Sequence, residues 1–268
     1  MGRLAIIGGG KIGEALLLGL LRGHEYSPES IVVVEKHPER AGELAAKHGV
    51  RILGIPQAAA FAQTLLIAVK PQDIDTVLHE LHDNVSSRHV VISVAAGVPT
   101  ARMERALGEG VPVVRCMPNT PALFDQAMTA VAGGEHATEN HVALAESLLG
   151  AVGKVVRVPE SQLDAVTALS GSGPAYFFYL VEAMIDAGIL LGLPRALAAQ
   201  LIVQTAVGAA VMLRDSGEHP VQLREAVTSP GGTTIAAIRE LENHGVRAAL
   251  LAAIEAACER SRELGASQ

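Results

Sequence analysis

The chain has 268 residues, enough for two domains at roughly 150 residues each. Aromatic residues make up 3% and Trp is absent, so a core must be built from Ala, Leu, Val and Ile. A formal net charge of −7 without a Lys/Arg cluster argues against nucleic acid and anionic membranes as partners. The spacing of Cys116 and Cys258 suggests no disulfide framework, and the N-terminus lacks a signal-peptide pattern, so a cytoplasmic location is expected.

The first elements are a strand, a glycine-rich turn, a helix and a second strand. We predict the strands at 4–7 and 31–34 and the helix at 14–22. The turn at 8–13 has the Gly-x-Gly-x-x-Gly pattern, placed between strand and helix as in dinucleotide-binding proteins. Gly8 permits the turn, Gly10 lets the backbone approach a diphosphate, and Gly13 allows close packing of helix on strand. The sequence therefore predicts a dinucleotide site.

The residues after the second strand leave the choice of dinucleotide open. Glu35 stands where an acidic side chain receives the adenosine ribose hydroxyls, which favours NADH because a carboxylate repels a 2′-phosphate. Lys36, His37 and Arg40 follow, and with Glu35 swung outward these cations suit NADPH. The alternative is that the three cations only face solvent at a helix start.

The alternation of strands and helices continues to about residue 158. Predicted strands lie at 65–69, 90–94, 111–115, 128–131 and 155–158, and predicted helices at 39–48, 57–62, 74–82 and 137–149. This alternation is typical of a doubly wound, mainly parallel α/β sheet. We therefore predict a Rossmann-like dinucleotide-binding domain over residues 1–159.

Ligands of such sheets lie beyond the carboxyl ends of the strands. Three turns follow predicted strands there: Lys70-Pro71-Gln72, Ala95-Ala96-Gly97 and Met117-Pro118-Asn119-Thr120. Each is a small turn shaped by Gly or Pro. Each either passes close to a cofactor or only turns the chain.

Helical patterns fill residues 160–268, which we predict to be an all-helical second domain. The helices are expected at 161–169, 174–191, from 194 onward, 223–227, 234–243 and 246–264. The uncharged stretch 196–213 is interrupted by polar residues and rich in small Ala, which argues against a membrane span. Helices that are apolar all round suit a core or a subunit interface, so we predict an intertwined homodimer and no membrane contact.

The stretch 226–235 combines a Gly-Gly turn with a Thr-Thr pair that opens a helix. A glycine turn before a helix N-terminus exposes backbone N–H groups that suit a carboxylate or phosphate. From these residues alone, an anion cradle and an ordinary capped helix after a surface turn are equally good interpretations.

Five stretches, in order along the chain, closely resemble motifs of the pyrroline-5-carboxylate reductase family. They are Gly8–Gly13, Ala68–Gln72, Arg115–Thr120, Asp164–Ala175 and Val227–Thr234. The last two are far more specific than the glycine pattern. The resemblance implies reduction of 1-pyrroline-5-carboxylate to L-proline by NADPH or NADH, the final step of proline synthesis, in a dimer or a ring of dimers.

The resemblance also implies a role for each matching residue. It places the substrate carboxylate on Ser229, Gly231, Gly232 and Thr233, the imine nitrogen on Thr234 as the catalytic residue, and the substrate also near Glu160. The residues implied for the cofactor groove are Gly8, Gly10, Lys11, Ile12, Gly13, Glu35, Lys36, Ala68, Val69, Lys70, Pro71, Ala95, Gly97, Met117, Pro118 and Asn119. Among these, Lys70-Pro71 and Met117-Pro118-Asn119 line the nicotinamide half.

The proton source and the reaction class stay open at this level. A Thr hydroxyl is too weak an acid, which leaves a relay through water or Glu160, or a substrate that is already protonated. The other classes are a different reductase of the same domain pairing, such as a β-hydroxyacid dehydrogenase, and a dinucleotide sensor without turnover. The former generally uses a lysine on the long helix, and residues 176–191 contain none. No metal site is expected, because His79 and His82 have no evident third ligand.

Overall fold

The computed structural model describes residues 2–24 and 26–266 of the chain. It divides into two compact units, one of Met1–Ser172 with Ala257–Gln268 and the other of Gly173–Ala256. The first unit contains the sheet, and the second is helical.

In the described part of the chain, the first unit is built on one eight-stranded sheet. Its strands are β1 (Leu4–Ile7), β2 (Ile31–Val34), β3 (Arg51–Ile52), β4 (Thr64–Ile67), β5 (Val90–Ser93), β6 (Val113–Met117), β7 (Ala127–Gly133) and β8 (Gly153–Arg157). The spatial order is β3-β2-β1-β4-β5-β6-β7-β8, so the winding reverses between β1 and β4. The doubly wound, mainly parallel α/β fold is confirmed.

Seven helices accompany these strands within the described residues of the first unit. They are α1 (Lys11–Arg22), α2 (Pro38–His48), α3 (Ile55–Phe61), α4 (Ile74–His82), α5 (Thr100–Leu107), α6 (Glu139–Gly150) and the short α7 (Leu163–Val166). Strand β1 is fully buried because both faces of the sheet are covered. Its residues alternate between two cores: Leu4 and Ile6 pack with α1, whereas Ala5 and Ile7 pack with α3 and α4.

Three features of this unit differ from the sequence prediction. The two-residue strand β3 was not predicted. Strand β7 runs antiparallel to β6, because a short connection through 120–124 returns the chain beside the strand it has just left. Helix α5 was not predicted, because it has only eight residues and Met103 and Leu107 are its only large apolar side chains.

Between the predicted helices 161–169 and 174–191, the structure has a local change of helix type. Helix α7 continues into a π-helical turn at Thr167–Gly171, closed by a hydrogen bond from Ser172 N to Thr167 O of 2.8 Å. The next helix begins at Gly173, with Pro174 in its first turn, where the missing N–H of proline costs no helical bond.

The second unit consists of helices, as predicted. They are α8 (Gly173–Leu190), α9 (Arg195–Asp215), α10 (Pro220–Ala226), α11 (Thr233–Asn243) and α12 (Val246–Ala266), whose last turns belong to the first unit. Segments Glu160–Leu190 and Arg195–Asp215 are long and apolar enough to cross a membrane, and both are largely exposed in the single chain. Large apolar side chains therefore face outward, among them Phe177 and Phe178 at 69% and 68% exposure.

The compact units do not divide at the predicted boundary between residues 159 and 160. Leu163 packs beneath β7 against Ala130 and Ala132, which keeps the segment 160–172 with the sheet. The end of α12 also returns to the first unit, where Ser261 is buried. The boundary at 159/160 stays a prediction about how the functions divide.

Candidate functional site

The glycine turn after β1 is shaped by close backbone contacts. Gly8 has φ +108°, and a Cβ there would lie 2.6 Å from the carbonyl oxygen of Ala68. A Cβ on Gly13 would overlap the carbonyl oxygen of Gly8, so α1 packs against the turn only with glycine at this position. By contrast, a Cβ on Gly10 would meet nothing within 4 Å. The first and third glycines serve packing, and the second leaves open space at the start of α1.

That open space lies at a helix N-terminus without a side-chain cap. The first α1 hydrogen bond runs from Glu14 N to Gly10 O at 2.9 Å, so the N–H groups of Lys11, Ile12 and Gly13 precede the helical ladder. Lys11 is exposed beside them. Three N–H groups at the positive end of a helix, with room before them, fit the diphosphate of a dinucleotide.

Glu35 and Arg40 hold the turn from the side of β2. One Glu35 carboxylate oxygen accepts a hydrogen bond of 2.9 Å from Gly9 N, and the other accepts one of 2.9 Å from His37 N. Arg40 Nε donates to the Gly9 carbonyl at 3.0 Å and also pairs with Glu14. The backbone N–H and the backbone carbonyl of Gly9 are therefore both bound by side chains from the β2–α2 segment.

Glu14 is at the centre of an ionic cluster behind the turn. Burial alone would raise the pKa of Glu14, but hydrogen bonds from His48, Arg40 and Lys47 outweigh burial and lower the pKa to about 2. The side chain is 16% exposed. The charged carboxylate thus fixes Arg40, which in turn holds Gly9.

The turns after β4, β5 and β6 lie at the same edge of the sheet as the glycine turn, because these strands are parallel neighbours of β1. Ala68 and Val69 are half-buried beside Gly8, while Lys70 is exposed and Pro71 begins a short 3₁₀ turn. Lys36 extends toward the same turn and pairs with Asp73 at 2.7 Å. The structure thus gathers the cofactor residues predicted from β1, β2 and β4.

The loop after β5 is covered by the end of α12. Ala95 is buried. Gly97 has φ +76°, and a Cβ there would lie 3.5 Å from the Cβ of Leu264. A Cβ on Gly265 would lie 2.7 Å from the Gly97 carbonyl oxygen. The loop with the predicted cofactor residues Ala95 and Gly97 therefore also supports the end of α12.

Two motifs that are distant in sequence meet after β6. Asn119 Nδ2 donates to the carbonyl and hydroxyl oxygens of Ser170 at 3.2 and 3.3 Å, and its Oδ1 accepts from Met128 N at 3.0 Å. Met117 packs its terminal methyl where a Cβ of Gly171 would stand, and Pro118 is buried. Asn119 therefore fixes the π-helical turn against the strand pair β6 and β7.

Glu160 is engaged inside the first unit. Its carboxylate accepts hydrogen bonds from Thr100 N at 2.7 Å and Thr100 Oγ1 at 2.6 Å, and it pairs with Arg115 at 3.3 Å. Arg115, 7% exposed, also lies 3.6 Å from Asp164, which accepts a hydrogen bond of 2.7 Å from Ser261 Oγ. Glu160 is therefore neither an exposed acid nor a carboxylate with both oxygens free.

The sequence interpretation missed Thr100, Arg115 and Ser261 in this network. Arg115 left one signal, because a lone cation in the apolar strand Val113–Met117 needs a buried partner. Thr100 and Ser261 left none, since their partners are distant in sequence. Cys116, next to Arg115, is buried, and burial raises the pKa of its thiol. The thiol therefore stays protonated and acts as a small apolar filler.

The second unit contains the predicted substrate loop. Gly231 has φ +68°, and Gly232 N donates to Ser229 O at 3.1 Å, which closes a tight turn. Gly232 is the N-cap of α11, which has no side-chain cap, and the first helical bond reaches Gly232 O from Ala236 N at 3.4 Å. The N–H groups of Thr233 and Thr234 therefore precede the helical ladder. Thr233 is exposed and Thr234 half-buried.

Among the residues that the structure describes, no group of three or more His, Cys, Asp or Glu side chains suits a metal ion.

Comparisons with known proteins find matches for both parts of the chain. Residues 3–97 match the family described as NADP oxidoreductase, coenzyme F420-dependent, and residues 160–264 match pyrroline-5-carboxylate reductase dimerisation. A pyrroline-5-carboxylate reductase from Corynebacterium melassecola is 46% identical, with 99% of each chain covered. One from Synechocystis is 45% identical, with 98% of each covered.

Solved structures give the same result. A pyrroline-5-carboxylate reductase from Coxiella burnetii has 38% identity and a TM-score of 0.90, covering 98% of both chains. A pyrroline carboxylate reductase from Plasmodium falciparum, with NADP bound, has 27% identity and a TM-score of 0.89 over the same share. The chain belongs to the pyrroline-5-carboxylate reductase family.

Proposed function

We propose that this protein reduces the C=N bond of 1-pyrroline-5-carboxylate to give L-proline, the last step of proline biosynthesis, with NADPH or NADH. The observation that carries the proposal is the uncapped start of α11 behind the Gly231-Gly232 turn. It offers N–H groups to a carboxylate in a chain whose other unit has the dinucleotide turn. Family membership supports the same reaction.

The cofactor residues divide by the part of the dinucleotide that they face. The glycine turn with Lys11 and Ile12 binds the diphosphate through backbone N–H groups. Glu35 and Lys36 lie toward the adenosine ribose. The nicotinamide half is lined by the turns after β4, β5 and β6, which contain Ala68, Val69, Lys70, Pro71, Ala95, Gly97, Met117, Pro118 and Asn119.

The substrate carboxylate binds at the start of α11. The N–H groups of Thr233 and Thr234 and the hydroxyl of Ser229 are its donors, with Gly231 and Gly232 supplying the turn. The helix dipole contributes the equivalent of about half a positive charge there. Fixing the carboxylate orients the ring, and orientation supplies a large share of the acceleration in such a reaction.

The Thr234 hydroxyl hydrogen-bonds the ring nitrogen. The reduced nicotinamide supplies a hydride to the imine carbon, and the nitrogen ends with one added proton. Thr234 is too weakly acidic to be that proton's source at neutral pH. Since Glu160 is held by Thr100 and compensates the buried charge of Arg115, we favour a substrate that enters as its iminium ion over a relay through Glu160.

The exposed apolar helices are covered by a second copy of the chain. The dimerisation match spans 160–264, which includes α8 and α9, and this favours self-association. We propose an intertwined homodimer in the cytoplasm, with a ring of dimers as its larger form and with neither membrane nor nucleic acid as a partner. Burial against another protein surface gives these helices the apolar surroundings that solvent denies them.

The test is consumption of NADH or NADPH with pyrroline-5-carboxylate, with L-proline identified by mass spectrometry. Stoichiometric formation of proline is expected. Cofactor binding without consumption of either dinucleotide would favour a sensor instead, and turnover only with β-hydroxyacids would favour the related dehydrogenases.

A further inference from the structure

We propose that Glu35 makes this protein prefer NADH to NADPH. The inference rests on the proposed dinucleotide site and concerns a choice that family membership leaves open. Glu35 directly follows β2 and is fixed beside the glycine turn by the N–H groups of Gly9 and His37.

The two hydrogen bonds leave Glu35 able to receive a ribose. Each carboxylate oxygen has a second lone pair, so each can accept one more hydrogen bond. The 2′- and 3′-hydroxyl groups of NADH are donors of the right kind for these sites. A 2′-phosphate has no proton to spare and would add about two negative charges beside a fixed carboxylate.

Glu35 is not free to turn away from a phosphate. Gly9 is buried, and Glu35 Oε2 lies 2.9 Å from its N–H. Rotation of the side chain would leave that buried donor without its partner, which native structures rarely tolerate. The outward rotation that NADPH would require is therefore opposed by the turn itself.

Two of the neighbouring cations, Lys36 and Arg40, are already paired. Arg40 binds the Gly9 carbonyl, Glu14 and Glu43, while Lys36 pairs with Asp73. His37 contacts Glu35 through its backbone N–H, and its side chain is exposed. A 2′-phosphate would therefore compete with carboxylates for Arg40 and Lys36.

The decisive measurement is the Kd of NADH and of NADPH for the protein without substrate, by isothermal titration calorimetry. We expect NADH to bind at least about 10-fold more tightly, because the 2′-phosphate of NADPH would lie close to the like charge of the Glu35 carboxylate. In Glu35→Gln, which keeps an acceptor for Gly9, the ratio should fall to within about 3-fold, chiefly through tighter NADPH binding. Glu29→Gln, an exposed acid before the other end of β2, is the matched control and should keep the wild-type ratio.

Two results would overturn the inference while leaving the enzyme a reductase. They are tighter binding of NADPH by the wild type, and an unchanged ratio in Glu35→Gln with unaltered thermal unfolding. If neither dinucleotide binds to the wild type, the proposed function fails as well. Thermal unfolding of each variant separates loss of recognition from loss of folding.

Discussion

The carboxylate of Glu160 accepts both polar hydrogens of Thr100, at 2.7 Å from its amide nitrogen and 2.6 Å from its hydroxyl. Thr100 is the first residue of α5, whose N-cap is Pro99 and has no side-chain hydrogen bond. A carboxylate from a different part of the chain therefore satisfies the orphan N–H and complements the positive end of the helix dipole. The same carboxylate also compensates the buried charge of Arg115.

We expect Glu160→Ala to lower the free energy of unfolding by about 2–4 kcal/mol, because it removes a helix cap and leaves Arg115 with Asp164 alone. Chemical denaturation at a fixed protein concentration measures this change. Glu39→Ala, an exposed acid in the first turn of α2, is the control and should stay within about 0.5 kcal/mol of wild type. Equal losses in both variants would contradict a structural role for Glu160.

This contact also shows where sequence patterns stop being informative. The βα alternation, the glycine turn and the helical second half follow from local periodicity and turn residues, and these predictions were confirmed. The cap of helix α5 comes instead from a partner 60 residues away along the chain, which no local pattern contains. The antiparallel direction of β7 was not predicted for a similar reason, since an apolar run does not reveal the direction of its strand.

The site residues divide in the same way. Gly8, Gly13 and Gly232 could be recognised as turn glycines from their spacing, because the same steric limits apply wherever a tight turn precedes a helix. The hydrogen-bond partners of Asn119 and Glu160 could not be predicted, because each side chain bonds a segment that only tertiary folding brings near. Motif matching located these residues but not their partners.

Glu14 should give the protein a distinct stability loss in acid. Its pKa is about 2 in the folded chain against an ordinary 4.5, so its contribution is complete above pH 4.5 and is lost as the pH falls toward 2. The shift corresponds to about 3 kcal/mol. The stability difference between wild type and Glu14→Gln should therefore shrink across this range. A difference that stays constant with pH would contradict the ionic role of Glu14.

Thr234→Ala should lower kcat by about 10- to 100-fold, since it removes a hydrogen bond to the nitrogen where charge changes during reduction. The Kd of NADH should stay unchanged, because Thr234 belongs to the substrate loop. Thr234→Ser keeps the hydroxyl and is expected to recover most of the activity. Unchanged steady-state kinetics in Thr234→Ala would refute the role of this hydroxyl and leave it a helix-start residue.

The outward-facing helices predict the oligomeric state. Helix α9 exposes Leu201 and Val207 at 52% each, although solvent contact with so many apolar side chains is unfavourable. Light scattering at micromolar concentration should therefore give at least twice the chain mass of 27.8 kDa.

Leu201→Glu should shift the protein toward single chains, because burying a charge in an apolar interface costs about 3 kcal/mol or more. Met128→Glu, on β7 of the other unit, is the control and should keep the wild-type mass. A wild-type mass of one chain would contradict the dimer, and an unchanged mass in Leu201→Glu would exclude this part of α9 from the interface.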